Sequence, residues 1–139
     1  MPVLHEALTH AIIGAFYRVY NTLGYGFLES VYASAMHVEL RRLELSFACE
    51  RAFPVLYRSH TIAVAKLDLV VADAVVVELK AVQQIAGAHE AQLLNYLRAS
   101  GMQVGLILNF GPKCTMRRMV WTGQRGSIDE GERLSAAAD

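Results

Sequence analysis

The stretch Lys66-Leu67-Asp68-Leu69-Val70-Val71-Ala72-Asp73-Ala74-Val75-Val76-Val77-Glu78-Leu79-Lys80 holds the residues whose types and spacing could do chemistry. Two β-rich runs, 61–71 and 75–80, flank Ala72-Asp73-Ala74 and predict a hairpin. Folded symmetrically about Asp73, that hairpin sets Asp68 directly opposite Glu78. Opposed side chains have Cβ atoms about 4.5–5.5 Å apart, and like charges at that distance destabilise. A hard divalent cation would compensate, since Mg²⁺ takes one or two carboxylates and keeps several waters. Side chains alternate along a strand, so Glu78 and Lys80 share a face. Two acids and an amine then converge on a patch that can hold a metal, a water and a phosphate oxygen. A solvated Asp68 at a strand end, or Lys80 paired with either acid, would account for the same residues without chemistry.

The rest of the 139-residue chain must position that patch. Its length suits one domain, and 54% hydrophobic against 19% charged residues excludes disorder for the bulk of it. Thirteen bases balance thirteen acids, which excludes a polycationic coat for nucleic acid but not a local basic patch. No apolar run is long enough to cross a bilayer. Met1 to Glu6 lacks a charged region followed by an apolar one, so no signal peptide is expected and the location expected is cytoplasmic, with no membrane partner. Cys49 and Cys114 have no ligand spacing and are expected reduced.

Leu4, Leu8, Ile12, Ala15, Phe16 and Val19 recur at helical spacing and predict a helix over 3–20, broken by Asn21 to Gly26. A second helix follows from Phe27 to Arg41-Arg42, whose bases suit its last turn. Residues 47–57 read as an extended segment whose Pro54 would sit at an edge or a bulge, with a turn at 58–60. The apolar run Val75-Val76-Val77 predicts a strand buried on both faces. A third helix over 87–100 and strands over 103–110 and 114–121 complete the pattern. The fold class is α/β (α+β), one sheet with helices packed on it, over residues 1–122. Residues 123–139 are expected to be a flexible tail.

On the third helix His89, Gln92 and Tyr96 fall within a narrow arc bordering the apolar stripe. Glu29 and Tyr32 are three apart on the second helix, after glycines at 24 and 26 that suit a close backbone approach. An acid in a first turn also suits the helix dipole, which explains Glu29 equally well. Lys113, Arg117, Arg118 and Arg98 could add phosphate contacts or be a scattered solvated set. No phosphate-binding glycine loop or nucleophile elbow is present. Ser100, Ser127 and the cysteines lack the surroundings of a nucleophile.

Asp68, nine intervening residues and Glu78-Leu79-Lys80 resemble the D…(D/E)xK signature of the PD-(D/E)xK nuclease superfamily. Gly26-Phe27-Leu28-Glu29-Ser30-Val31-Tyr32, the run His89 to Leu97 and the run Gly105 to Gly111 resemble its GxxExxY protein family. The resemblance spans about residues 4–121. It implies a restriction-endonuclease-like core of helix, three strands, helix and strands, preceded here by an extra N-terminal helix. It implies Mg²⁺ or Mn²⁺ held by Asp68, Glu78 and the carbonyl of Leu79. Lys80 would position or deprotonate the attacking water, Glu29 would be a further ligand or hold a water, and Gln92 and Tyr96 would line the site. Ala65-Lys66-Leu67 stands where the family usually has an arginine and an alanine, and Lys66 keeps the charge without bidentate geometry. Lys66, Lys113 and Arg117 are the candidate nucleic-acid contacts. The implied activity is metal-dependent phosphodiester hydrolysis in nucleic acid, DNA ahead of RNA. A non-catalytic binding or regulatory module acting through a protein or nucleic-acid partner stays open beside it, as does a homodimer.

Overall fold

Apolar residues at helical spacing drive α1 (Glu6–Leu23) and bury Ile12, Ala15, Phe16 and Val19. The structure, a computed structural model, describes residues 5–123. The expected tail therefore lies, apart from Gly123, outside the described residues. α1 runs three residues past the expected end at Tyr20. Leu23 still packs against the core, Thr22 donates its hydroxyl to the carbonyl of Arg18 at 2.8 Å, and Gly24 ends the helix at φ 69°. α2 (Glu29–Arg42) follows and buries Tyr32, Met36 and Leu40.

Five strands form one sheet in the order β1 (Phe47–Tyr57), β2 (His60–Val71), β3 (Val75–Lys80), β4 (Val104–Phe110) and β5 (Cys114–Val120). β3 and β4 are parallel, and every other neighbouring pair is antiparallel. The crossover from β3 to β4 is α3 (Gly87–Ser100), the usual means of joining parallel strands. This is a mixed α/β fold consistent with a restriction-endonuclease-like core. β1 is an edge strand, and its ladder with β2 shifts register between Val55 and Leu56, so Pro54 lies both at an edge and beside an irregularity. Cys49 and Cys114 are free and lie on the two opposite edge strands.

Val75, Val76 and Val77 are all fully buried because helices cover both faces of the sheet. Val75, Val77 and Leu79 pack with Leu106, Leu108 and Phe110 against α1 and α2. Val76 and Ile107 pack with Phe53, Leu67 and Met119 against Leu93 and Leu97 of α3. Each such aliphatic side chain contributes about 1.5–3 kcal/mol by leaving water. Gly105 allows the α3 packing, since a Cβ there would stand 2.8 Å from the side chain of Leu93. On the other face Tyr32 stacks on Phe110 at 4.3 Å between ring centroids, and Phe16 meets the same ring edge-on at 4.9 Å. That aromatic group ties α1 and α2 to the end of β4.

Candidate active site

β3 carries Glu78, Leu79 and Lys80 at its end, with the parallel β4 alongside through Lys80↔Asn109. Leu79 points into the α1–α2 core, so strand alternation turns Glu78 and Lys80 toward the α3 side. The β2–β3 ladder has the register expected from a turn about Asp73, with Val71↔Val75, Val70↔Val76 and Leu69↔Val77 paired. It stops there, one pair short of the expected Asp68–Glu78 pair.

The reason lies in β1. Cys49 pairs with Leu69 and Arg51 with Leu67, but Glu50 between them adopts φ 51° and leaves the ladder. Leu67 packs on the α3 side and Leu69 on the α1–α2 side, although residues two apart in a regular strand share a face. The irregularity frees Asp68 from ordinary cross-strand pairing. Its Oδ2 accepts a hydrogen bond from the backbone N–H of Leu79 at 3.1 Å, in place of a backbone carbonyl of β2. Asp68 is thus beside Glu78, but bound to the β3 backbone rather than facing Glu78 across a ladder.

Glu78 is only 5% exposed, and among the described residues its Oε1 has no hydrogen-bond partner. Burial pushes its carboxyl up to about 7, and the charges of Asp68 and Glu29 push the same way. A hydrogen bond from the backbone of Asp68 and the charge of Lys80 oppose them. Lys80 is half-buried and, among the described residues, is in no ion pair. Glu29, the first residue of α2, is exposed and lines a cleft of about 320 Å³ together with His37, Cys49, Glu50, Asp68 and Leu79. Tyr96 reaches the carboxylates from α3: burial, then the charges of Glu78 and Asp68, raise its phenol above the usual range.

The structure therefore brings Asp68, Glu78, Leu79, Lys80, Glu29 and Tyr96 to one end of the sheet. Gln92 is exposed one turn before Tyr96, and among the described residues no hydrogen bond or ion pair ties it. Lys66 is exposed two residues before Asp68. Lys113 is exposed in the turn after β4, at the same end of the sheet as Lys80. Arg117 lies farther along β5, 3.7 Å from the carboxylate of Glu90. His89 has a structural task, its Nδ1 accepting the N–H of Ala86 at 2.9 Å at the start of α3. Tyr32 is fully buried rather than turned to the cleft beside Glu29.

Asn109 escapes a reading based on motifs of acids and amines. It is fully buried and clamps the chain just after Lys80: Oδ1 accepts the N–H of Val82 at 2.9 Å, and Nδ2 donates to the Val82 carbonyl at 3.0 Å. Its signal in the sequence is a lone amide in the otherwise apolar run Leu106 to Phe110. Gly111 completes the clamp, since a Cβ there would stand 2.0 Å from the Val82 carbonyl oxygen. Glu50 and His37 had no such signal, because a φ reversal and a cleft wall are set by tertiary packing.

An orphaned buried carboxylate oxygen beside a second carboxylate and a backbone segment suits a hard cation with oxygen ligands. Among the described residues no group of three His, Cys, Asp or Glu forms a metal cage. The donor set thus fits an ion that keeps several waters better than a closed tetrahedral zinc site.

A family model described as the PD-(D/E)XK nuclease superfamily matches residues 6–120. No curated protein and no solved structure matches the chain.

Proposed function

The chain belongs to the PD-(D/E)XK nuclease superfamily, and from that premise we propose that it hydrolyses phosphodiester bonds in DNA in the cytoplasm, using Mg²⁺ or Mn²⁺. The observation that carries this reading is Glu78, a buried acid beside Asp68 with an unpartnered oxygen and a carboxyl that burial raises to about 7. Asp68, Glu78 and the carbonyl of Leu79 would hold the ion. When bound, it supplies a water of lowered pKa and neutralises charge on the phosphate.

The remaining steps belong to the chain's own side chains. Lys80 orients the attacking water and offers a positive charge to the phosphate oxygen as negative charge builds there. Glu29, across the cleft from Asp68, accepts a hydrogen bond from a water and limits its orientations. Tyr96 keeps its proton at neutral pH and can donate it in a hydrogen bond to the phosphate. Gln92 extends that wall one helical turn outward. Lys66 and Lys113 hold the neighbouring backbone phosphates, with Arg117 behind them beside Glu90.

Within the superfamily we place the chain with the GxxExxY proteins. Support comes from the work each motif residue does. Gly26 sits at φ 115°, where side chains are strained. Tyr32 donates its hydroxyl to the Gly24 carbonyl at 2.7 Å and accepts the N–H of Phe27 at 3.2 Å. Together they fix the loop that delivers Glu29.

The test is cleavage of supercoiled and linear DNA with Mn²⁺ by wild type and Glu78→Gln. The variant is expected to stay folded and lose at least about 100-fold of the metal-dependent rate, the order assigned to a lost electrostatic group. Wild-type activity in a folded Glu78→Gln protein would refute the assignment.

A further inference from the structure

β1 and β2 continue past the covered part of the sheet as a two-stranded ribbon. Their pairing runs from Arg51↔Leu67 out to Tyr57↔His60, with a register shift between Val55 and Leu56 that leaves Ile62 out of the ladder, whereas β2 meets β3 only over Leu69 to Val71. Phe53 and Leu67 pack against α3 at the ribbon's base. Beyond them Leu56, Tyr57, Ile62 and Val64 are 47%, 61%, 62% and 61% exposed. Arg58 and Ser59 close the tip in a two-residue turn with φ 49° and 66°, the tight form that matches strand twist.

The ribbon's charge identifies what would cover those side chains. From Arg51 to Leu67 the chain contains no acid, and it carries Arg51, Arg58, His60 and Lys66. Arg51 is held by Asp73 at the base, while Arg58 lies over the Tyr57 ring at the tip. A second copy of this ribbon would bring like charges together, and Pro54 removes a donor from the exposed edge it would pair with. A polyanion is the complementary partner.

Shape selects among polyanions. Two strands about 4.8 Å apart with their side chains match the roughly 12 Å major groove of B-form DNA, which admits a β-ribbon. The major groove of A-form RNA is too narrow for side chains to read. His60 is eight residues from Asp68, so at about 3.4 Å per residue the tip lies within about 27 Å of the carboxylates. That is less than one duplex turn. We propose that the β1–β2 ribbon docks in the major groove of duplex DNA, with Arg58 and Lys66 on the phosphates and Leu56 and Ile62 against base edges, and that it selects DNA over RNA duplex. This deepens the nuclease reading and rests on it.

The experiment uses the full chain and a fluorescein-labelled 20-bp DNA duplex, with the matching RNA duplex as comparison. Anisotropy is read in EDTA, so that neither probe is cut, at several salt concentrations. Wild type is expected to bind the DNA at least about 10-fold tighter than the RNA. Arg58→Ala with Lys66→Ala should weaken DNA binding about 10-fold or more and lower the salt slope by about 2. Leu56→Ser with Ile62→Ser, both exposed, should reduce the DNA preference with the salt slope kept. Wild-type DNA binding by both double variants, or equal affinity for both duplexes, overturns the proposal. So does a wild-type dimer, seen by light scattering, that Leu56→Ser with Ile62→Ser dissociates. Mn²⁺ calorimetry on the same proteins separates the failures. Metal binding that needs Glu78 leaves the nuclease reading standing when the ribbon fails. A wild type that binds neither Mn²⁺ nor duplex removes both.

Discussion

Glu78 shows how a buried acid can act against stability. In the folded protein burial and the neighbouring acids raise its carboxyl from 4.5 to about 7. Below pH 4.5 the folded and unfolded chains both hold the proton. Between 4.5 and 7 the unfolded chain releases it while the folded chain keeps it, so stability falls as pH rises and levels off above 7. At 1.36 kcal/mol per pKa unit the loss is about 3 kcal/mol. Glu78→Gln, which cannot ionise, should be more stable than wild type by about 2–3 kcal/mol at pH 8 and nearly equal to it at pH 4.5. Urea unfolding of both proteins across that range checks this; a difference independent of pH would show that the Glu78 charge is tolerated. Asp68 and Glu78 were legible as a pair because the turn is symmetric about Asp73. The form of their approach was not, because it depends on Glu50 leaving the β1 ladder.

The elements around the site were read well where a local pattern fixes them. α3 begins and ends where Gly87 and Gly101 place it, and β1 lies at an edge, one of the two settings Pro54 allowed. α1 runs on to the glycine at 24 because Leu23 returns to the core after the polar Asn21 and Thr22. The arrangement of neighbouring elements was less legible, as Tyr32 shows. Spacing put it beside Glu29, yet its ring is core and only its hydroxyl serves the α1–α2 loop. Tyr32→Phe keeps the stacking and leaves the Gly24 carbonyl and Phe27 N–H without that partner. It should cost about 1–3 kcal/mol and reduce cleavage through misplacement of Glu29; thermal unfolding and single-turnover rates measure both. The Asn109 clamp makes a stronger case. Asn109→Ala strands both polar groups of Val82 and should cost about 2–4 kcal/mol, with the rate falling more than DNA affinity as Lys80 loses its fixed end. An unchanged rate per folded molecule would show that the clamp serves stability alone.

At the scale of the whole molecule, two cores on opposite faces of one sheet leave the end of β3 as the place where both sides meet. α2 supplies Glu29 from one face and α3 supplies Tyr96 from the other, while the hairpin supplies both carboxylates. A chain of zero formal charge thus gathers Glu29, Glu50 and Asp68 around one cleft. Among the described residues no helix is long and apolar enough to cross a membrane. The α/β class and the order of helices and strands along the chain followed from hydrophobic periodicity. The layer arrangement, with α1 and α2 on one face and α3 on the other, depends on which side chains interlock, and periodicity does not encode that.

If Asp68 and Glu78 hold a divalent cation, Mn²⁺ calorimetry should detect it. Wild type, Asp68→Ala and Glu78→Gln would be titrated at pH 6 and pH 8, each in two buffers of different ionisation enthalpy. A ligating carboxylate must give up its proton, so wild type should bind Mn²⁺ with release of nearly one proton at pH 6 and almost none at pH 8. Both variants should lose the binding. Equal Mn²⁺ binding by wild type and folded Glu78→Gln, or none by wild type at either pH, would contradict the account.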